Sequence, residues 1–221
     1  MFLAEKLLRK SGSFELDFQD LDTVVNTANL SGYTFSSVDL GTVNADRMVA
    51  ILVSTTSPTE TLLTATINGV SATISGANQV WVISAKVPAG STGDVVLSFQ
   101  NACPNCRIKV FAFNTKATGV LDSNQASYTL STVTVSLPNI QCKDGGVVIG
   151  CFQGNDAGAA TGSWNGTDSY VIANNSTTEG GRYNYGYVLT TEDSTVRDMS
   201  YARGDPQPFY SGAAASFEFI E

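Results

Sequence analysis

The chain has 221 residues, 43% hydrophobic and only 14% charged, with a net charge of −8 and no histidine. Nucleic-acid binding needs clustered Lys and Arg against phosphate, and the 12 present form no run in the body of the chain. Without histidine the commonest general base and metal ligand are missing, which argues against Ser-His-Asp and Cys-His catalysis and leaves carboxylate hydrolysis as the enzymatic option.

Met1 to Lys10 has no apolar run of signal-peptide length, and its charges fall inside the segment. No later stretch approaches the roughly 20 apolar residues of a membrane span. Cytoplasmic synthesis without export is therefore expected, and no membrane partner. Phe2, Leu3, Leu7 and Leu8 can form one apolar stripe on a short helix or arm spanning residues 1–13. Such a helix is marginal alone in water, so the stripe reads either as a cap on the body or as a surface that docks on a partner. Lys6, Arg9 and Lys10 against Glu5 give residues 1–10 a charge of +2, leaving −10 for the rest.

After Ser11-Gly12-Ser13 the pattern changes to period two, with Phe14, Leu16 and Phe18 alternating with Glu15 and Asp17. Met48 to Val53 is a dense apolar run, as in a strand buried on both faces. Leu62 to Ile67 and Val70 to Ile74 flank Asn68-Gly69, a strong hairpin signal. Val80–Ala85, Val95–Phe99 and Ile108–Phe113 follow, and the second half continues with Tyr128–Leu137, Val147–Phe152, Tyr170–Ala173, Tyr183–Thr190 and Ala213–Ile220. Short strands divided by Gly, Pro, Asn and Asp predict an all-β protein, a jelly-roll-like β-sandwich over residues 14–221. Residues 113–127 form a weak midpoint connection, a place of sub-division. The sequence shows no repeat between the two halves.

Four cysteines leave several readings open. Cys103-Pro104-Asn105-Cys106 runs into a β-prone segment, whereas a redox pair needs a helix N-terminus. Cys142 and Cys151 are spaced too widely to complete a zinc motif. Disulfides among Cys103, Cys106, Cys142 and Cys151 and buried reduced thiols are the other readings. Trp164 stands in a turn-like setting, and Tyr183, Tyr185 and Tyr187 share one face of a strand. Those tyrosines read as core or a cross-strand ladder, or with Trp164 as a ligand-facing surface. The carboxylates read as turn residues, so the chain is expected not to be an enzyme, with no cofactor and no metal. Arg203-Gly204-Asp205 and the Asn-x-Ser/Thr sequons carry no weight in so short a match.

Three phrases stand out: Tyr33 to Thr42 followed by Asp46 to Ala50, Thr66 to Ile74, and Val87 to Leu97. Together they resemble a loosely defined group of all-β virion structural proteins, decoration or tail-associated, of tailed bacteriophages and prophages. The resemblance covers about residues 33–113 and brings no catalytic residues with it. It implies a virion protein assembled in the host cytoplasm, foremost a capsid decoration or cement protein. Its expected partners are the major capsid protein, other virion proteins and further copies of itself. The alternative is a tail- or fibre-associated receptor or carbohydrate-binding module using Trp164 and the Tyr183–Tyr187 face.

Overall fold

Short apolar runs punctuated by Gly, Asn and Pro fold into 17 strands, with no helix among the described residues of this computed structural model. The structure describes residues 18–57, 59–116, 119–128, 132–143, 146–154, 162–165, 171–176, 182–190, 197–207 and 210–218. The arm residues Phe2, Leu3, Leu7 and Leu8, and Phe14 and Leu16 of the first predicted strand, lie outside them.

The first half contains β1 (Gln19–Asn26), β2 (Leu30–Asp39), β3 (Arg47–Ser54), β4 (Leu62–Ile67) and β5 (Val70–Ser71). It continues with β6 (Thr73–Ala77), β7 (Val80–Lys86), β8 (Thr92–Cys103) and β9 (Cys106–Asn114). These make a four-stranded sheet I, ordered β2-β8-β4-β5, and a five-stranded sheet II, ordered β1-β9-β3-β7-β6. The second half contains β10 (Asp122–Tyr128), β11 (Thr132–Ile140), β12 (Val147–Gly154) and β13 (Gly162–Asn165). Then come β14 (Val171–Ser176), β15 (Arg182–Leu189), β16 (Arg197–Gln207) and β17 (Tyr210–Phe217). They make a five-stranded sheet III, ordered β10-β17-β12-β15-β14, and a three-stranded sheet IV, ordered β11-β16-β13. Among the described residues every pairing is antiparallel, and no ladder joins one half to the other.

The sheets stack in the order I, II, III, IV, with a core between each neighbouring pair. Val49, Ile51 and Val53 of β3 face sheet I alongside Trp81, Phe35 and Leu97. Met48, Ala50 and Leu52 of the same strand face sheet III, where they meet Val147, Ile149 and Cys151 of β12. Val148 and Phe152 of β12 turn the other way, onto Leu137, Ile140 and Met199 of sheet IV. The all-β class expected from sequence is present, but where one sandwich over residues 14–221 is predicted, the described strands form two, which share the core between sheets II and III. The expected doubly buried strand is β3, buried at every position.

Asn68-Gly69 closes the β4–β5 hairpin, pairing Ile67 with Val70. Its two residues have φ of +51° and +78°, the left-handed pair that an Asn-Gly hairpin turn requires. One sequence expectation needs correction. Residues 113–127 are not all connection: β9 runs to Asn114 and β10 begins at Asp122. Asp122-Ser-Asn-Gln-Ala-Ser-Tyr carries little apolar signal because it is an edge strand. Its backbone ladder to β17, from Asp122↔Ser216 to Tyr128↔Tyr210, places it.

The two halves repeat one fold. Replacing β1, β9, β3, β7 and β6 by β10, β17, β12, β15 and β14 turns the order of sheet II into that of sheet III. Replacing β2, β8 and β4 by β11, β16 and β13 turns the first three strands of sheet I into sheet IV, β5 having no counterpart among the described residues. The match extends to local irregularities. Sheet I has a register shift between Phe35 and Val38, where Ser37 has φ +57° and donates its N–H to Asp94 Oδ1 at 3.2 Å. Sheet IV has the same shift between Leu137 and Ile140, where Asn139 has φ +61° and donates to Asp198 Oδ1 at 2.7 Å. Phe35, Val38 and Leu40 enter one core at the spacing at which Leu137, Ile140 and Cys142 enter the other. At the start of β3, Arg47 N–H donates to Asn44 O and Val87 N–H to Arg47 O; before β12, Gly146 N–H donates to Lys143 O and Thr190 N–H to Gly146 O.

Phe113 of β9 and Phe217 of β17 hold matching places in the two halves and touch each other between sheets II and III, with ring centroids 5.2 Å apart. Replacing either with alanine is expected to cost about 3–5 kcal/mol. The double replacement costs less than the sum, because both rings fill one space. Urea denaturation of the three variants measures this.

Candidate functional site

Two polar constellations stand inside this apolar stack, and neither was assigned a role from sequence. The first is built by the phrases that carry the resemblance. Arg47 begins β3 and is 1% exposed. Its Nε donates to Val87 O at 2.7 Å and its Nη1 to Gly41 O at 2.7 Å. Its Nη2 reaches Ala89 O at 3.1 Å and Gly90 O at 2.6 Å. One guanidinium thus ties the loop after β2 to the turn between β7 and β8. Burial pulls its pKa down, and Asp39 opposes that shift.

Asn68 of the hairpin joins the same knot. Its Nδ2 donates to Ala89 O at 3.3 Å and its N–H to Asp94 O at 2.8 Å. Gly90 and Gly93 are required there: at Gly93 a Cβ would stand 2.7 Å from Asn68 Oδ1, and Gly90 has φ +77°. The arrangement fixes loop shape through main-chain carbonyls.

The second constellation lies between sheets II and III. Arg107 and Lys109 alternate along β9 on the face that also carries Phe111 and Phe113, and both cations are buried. Lys109 Nζ pairs with Asp20 Oδ1 and donates to Leu21 O. It also sits 4.9 Å from the centre of the Tyr185 ring and 5.7 Å from that of Phe111. The Arg107 guanidinium lies 5.4 Å from the Tyr183 ring centre. Cation–π contact of this kind strengthens when water is excluded. The signal was present in sequence as two cations in an otherwise apolar strand, Arg107-Ile108-Lys109-Val110.

Of the two sequence alternatives for this face, core describes Tyr183 and Tyr185. Tyr183 is 1% and Tyr185 5% exposed. Tyr187, partly buried, packs on Phe18 with ring centroids 4.4 Å apart. A ring held between two sheets presents no surface to a ligand. Trp164 lies on β13, and its side chain is outside the described residues.

All four cysteines are buried thiols, with no disulfide between them. They are distributed over three cores: Cys103 and Cys106 between sheets I and II, Cys151 between II and III, and Cys142 between III and IV. Sheets separate them, so the four cannot converge on one zinc ion. Only Cys103 and Cys106 share surroundings. There the single Tyr33 hydroxyl proton is shared between the carbonyls of Ala28 and Cys103, and the buried Glu60 carboxylate accepts the N–H groups of Thr61 and Asn101 at 3.1 and 2.9 Å. Burial, with a smaller push from Glu60, raises the Cys103 thiol to about 12. Burial and Cys103 raise Cys106 well above the ordinary thiol range. Burial raises Tyr33 to about 12. Such thiols are poor nucleophiles, because the thiolate is the reactive form.

No protein family and no curated protein matches this sequence. Among solved structures, an anti-sigma factor domain-containing protein is similar at 9% identity and a TM-score of 0.24, over 81% of this chain and 78% of that one. An anti-sigma factor domain-containing protein from Clostridium clariflavum is similar at 10% identity and a TM-score of 0.25, over 82% and 77%. Likenesses this distant carry no argument about fold or function.

Arg47→Met is expected to cost at least about 3 kcal/mol, since several buried carbonyls lose their donor at once; thermal and urea denaturation measure it. Arg47→Lys recovers little, because an ammonium lacks the planar fork.

The thiols and Tyr33 give an alkaline signature. Unfolded Cys and Tyr titrate near about 8.5 and 10, whereas the folded protein holds the Cys103 and Tyr33 protons to about 12. Their contribution to stability is complete below the unfolded values and lost as pH rises toward about 12. The melting temperature is expected to fall steadily from about pH 9 upward. A thiol-reactive disulfide reagent is expected to find no thiol in the native protein at pH 7 and four in denaturant.

Proposed function

We propose that the chain is a structural protein of a tailed-phage virion, a capsid decoration or cement protein that works by burying surface on neighbouring subunits. The observation that carries this reading is the convergence of the resemblance phrases. Residues 33–42, 46–50, 66–74 and 87–97 are scattered in sequence, yet they meet at the Arg47 knot. The first half as a whole weaves alternately through the two sheets, β1-β9-β3-β7-β6 on one side and β2-β8-β4-β5 on the other. We read that order as a jelly roll, two interleaved Greek keys. A body whose polar groups are engaged in holding its own loops suits a mechanical role. The low charge, 14% of residues, suits a surface covered by neighbours. The partners would be the major capsid protein or other virion proteins, and further copies of the chain in a closed arrangement. The carbohydrate-binding alternative loses its tyrosine platform to the core.

The test is to purify particles on a density gradient and quantify this chain by mass spectrometry, then to measure particle heat resistance with and without it. The expected result is a fixed copy number per particle and earlier rupture of particles that lack the chain. Deleting residues 1–10 is expected to leave the body folded and to abolish incorporation. A chain found only in the soluble lysate, or particles whose heat resistance ignores it, would overturn the proposal.

A further inference from the structure

We infer that sheets II and III form a recognition interface between two copies of one fold, made mutually specific by Arg107 and Lys109 meeting Tyr183 and Tyr185. The partner that sheet II fits is thus sheet III of the same chain, and not another sheet II.

The inference starts from the correspondence of the halves. Met48 pairs with Phe113 and Lys86, and Val147 pairs with Phe217 and Leu189. Taking Met48 and Val147 as equivalent fixes every other position. Arg107, Lys109, Phe111 and Phe113 on β9 correspond to Ser211, Ala213, Ala215 and Phe217 on β17. Val80 and Val82 on β7 correspond to Tyr183 and Tyr185 on β15.

The contacts obey the same exchange. β9 lies over β15, through Arg107 on Tyr183, Lys109 on Tyr185 and Phe111 against Tyr185. β17 lies over β6 and β7: Ala213 is 3.3 Å from where a Cβ of Gly76 would stand, and Ser211 Oγ donates to Gln79 Oε1 at 3.4 Å. The equivalent rings of Phe113 and Phe217 meet between these two zones. This is the geometry of a two-fold, isologous contact, formed here within one chain.

The side chains then break that symmetry. Two copies of sheet II, joined in the same way, would set Arg107 and Lys109 over Val80 and Val82. In each copy Arg107 would lose the Tyr183 ring and Lys109 the Tyr185 ring, Lys109 keeping only Asp20, the Leu21 carbonyl and Phe111 of its own half, and a buried charge that loses part of its surroundings is destabilised. Two copies of sheet III would set Tyr183 and Tyr185 over Ser211 and Ala213, with no cation and surplus space. Only the mixed pair places cations over rings and small residues over small ones. Specificity therefore comes from penalising the two wrong pairings as well as from favouring the right one.

The test uses the full chain with a protease site inserted within residues 116–120. The folded protein is cut, unfolded, refolded and weighed by native mass spectrometry. The expected product is a one-to-one complex of the two halves near the intact mass of 23.3 kDa, with no pair of identical halves. With R107S and K109A, which copy β17, pairs of the first half are expected to appear. Identical-half pairs from the unsubstituted protein, halves that do not associate, or a variant that still forms only mixed pairs would each overturn the inference. A second measurement guards against a variant that fails to fold: Lys109→Met, Tyr185→Leu and their combination in the intact chain. The shifts in denaturation midpoint are expected to be non-additive, and strict additivity would also overturn it.

Discussion

Sheets II and III are each covered on both faces, and most other features of this molecule follow from that constraint. A sheet with one wet face alternates apolar and polar residues; one covered twice must be apolar on both sides. β3 is accordingly buried throughout, and β9 is buried from Cys106 to Phe113. Any polar group in these strands must bring its partners with it. Lys109 does so through Asp20, the Leu21 carbonyl and the Tyr185 ring. Close stacking also limits volume. At Gly150 a Cβ would stand 3.0 Å from Met199 Cε and 3.1 Å from Ala214 Cβ, so the centre of β12 tolerates nothing larger without movement of both neighbours.

Much of the remaining polar chemistry sits where the backbone leaves regular strand geometry. Bulges, hairpins and crossings need left-handed backbone: Ser37 and Asn139 supply it at the register shifts inside β2 and β11, Asn68 and Asn78 in hairpins, and Asn105 between β8 and β9, all without glycine. Asparagine tolerates that region better than most residues. Side-chain acceptors then hold the turns: Asp94 for Ser37, Asp198 for Asn139, and Asp39 for the N–H of Gly41. Arg47 does the same from the donor side. A sequence low in Lys and Glu but rich in Asn, Ser, Thr and Gly is thus the composition of a chain with many corners and few solvated faces.

Some of this was legible from residue order alone. Asn68-Gly69 specified its hairpin because only one turn class suits that pair. Met48 to Val53 betrayed a strand without a wet face. β10 was hidden for the converse reason: an edge strand held by main-chain bonds has little need of apolar side chains. The cysteine alternatives stayed open because pairing depends on which core each thiol enters, and three sheet gaps receive them. The repeat was invisible because backbone features were kept while side chains changed. Arg47 stands where the other half has Gly146, Ile51 where it has Gly150, and Leu40 where it has Cys142. Insertions at corners also shift the spacing between matched strands, so no fixed period links them.

The two halves agree where the backbone is constrained and differ where they touch. A homodimer cannot do this, since a two-fold contact uses one surface twice and every change is made on both sides. Fusion in one chain lifts that restriction. Here one side of the contact has become a layer of rings and cations, while the other has become alanine, glycine and valine, and β17 comes close to β6 and β7. The specialisation has a cost. The Tyr183 hydroxyl and Ser84 Oγ are buried without hydrogen-bond partners, a penalty of about 1–3 kcal/mol each. Phenylalanine at 183 would avoid its share and keep the ring under Arg107. The hydroxyl is therefore not explained by stability.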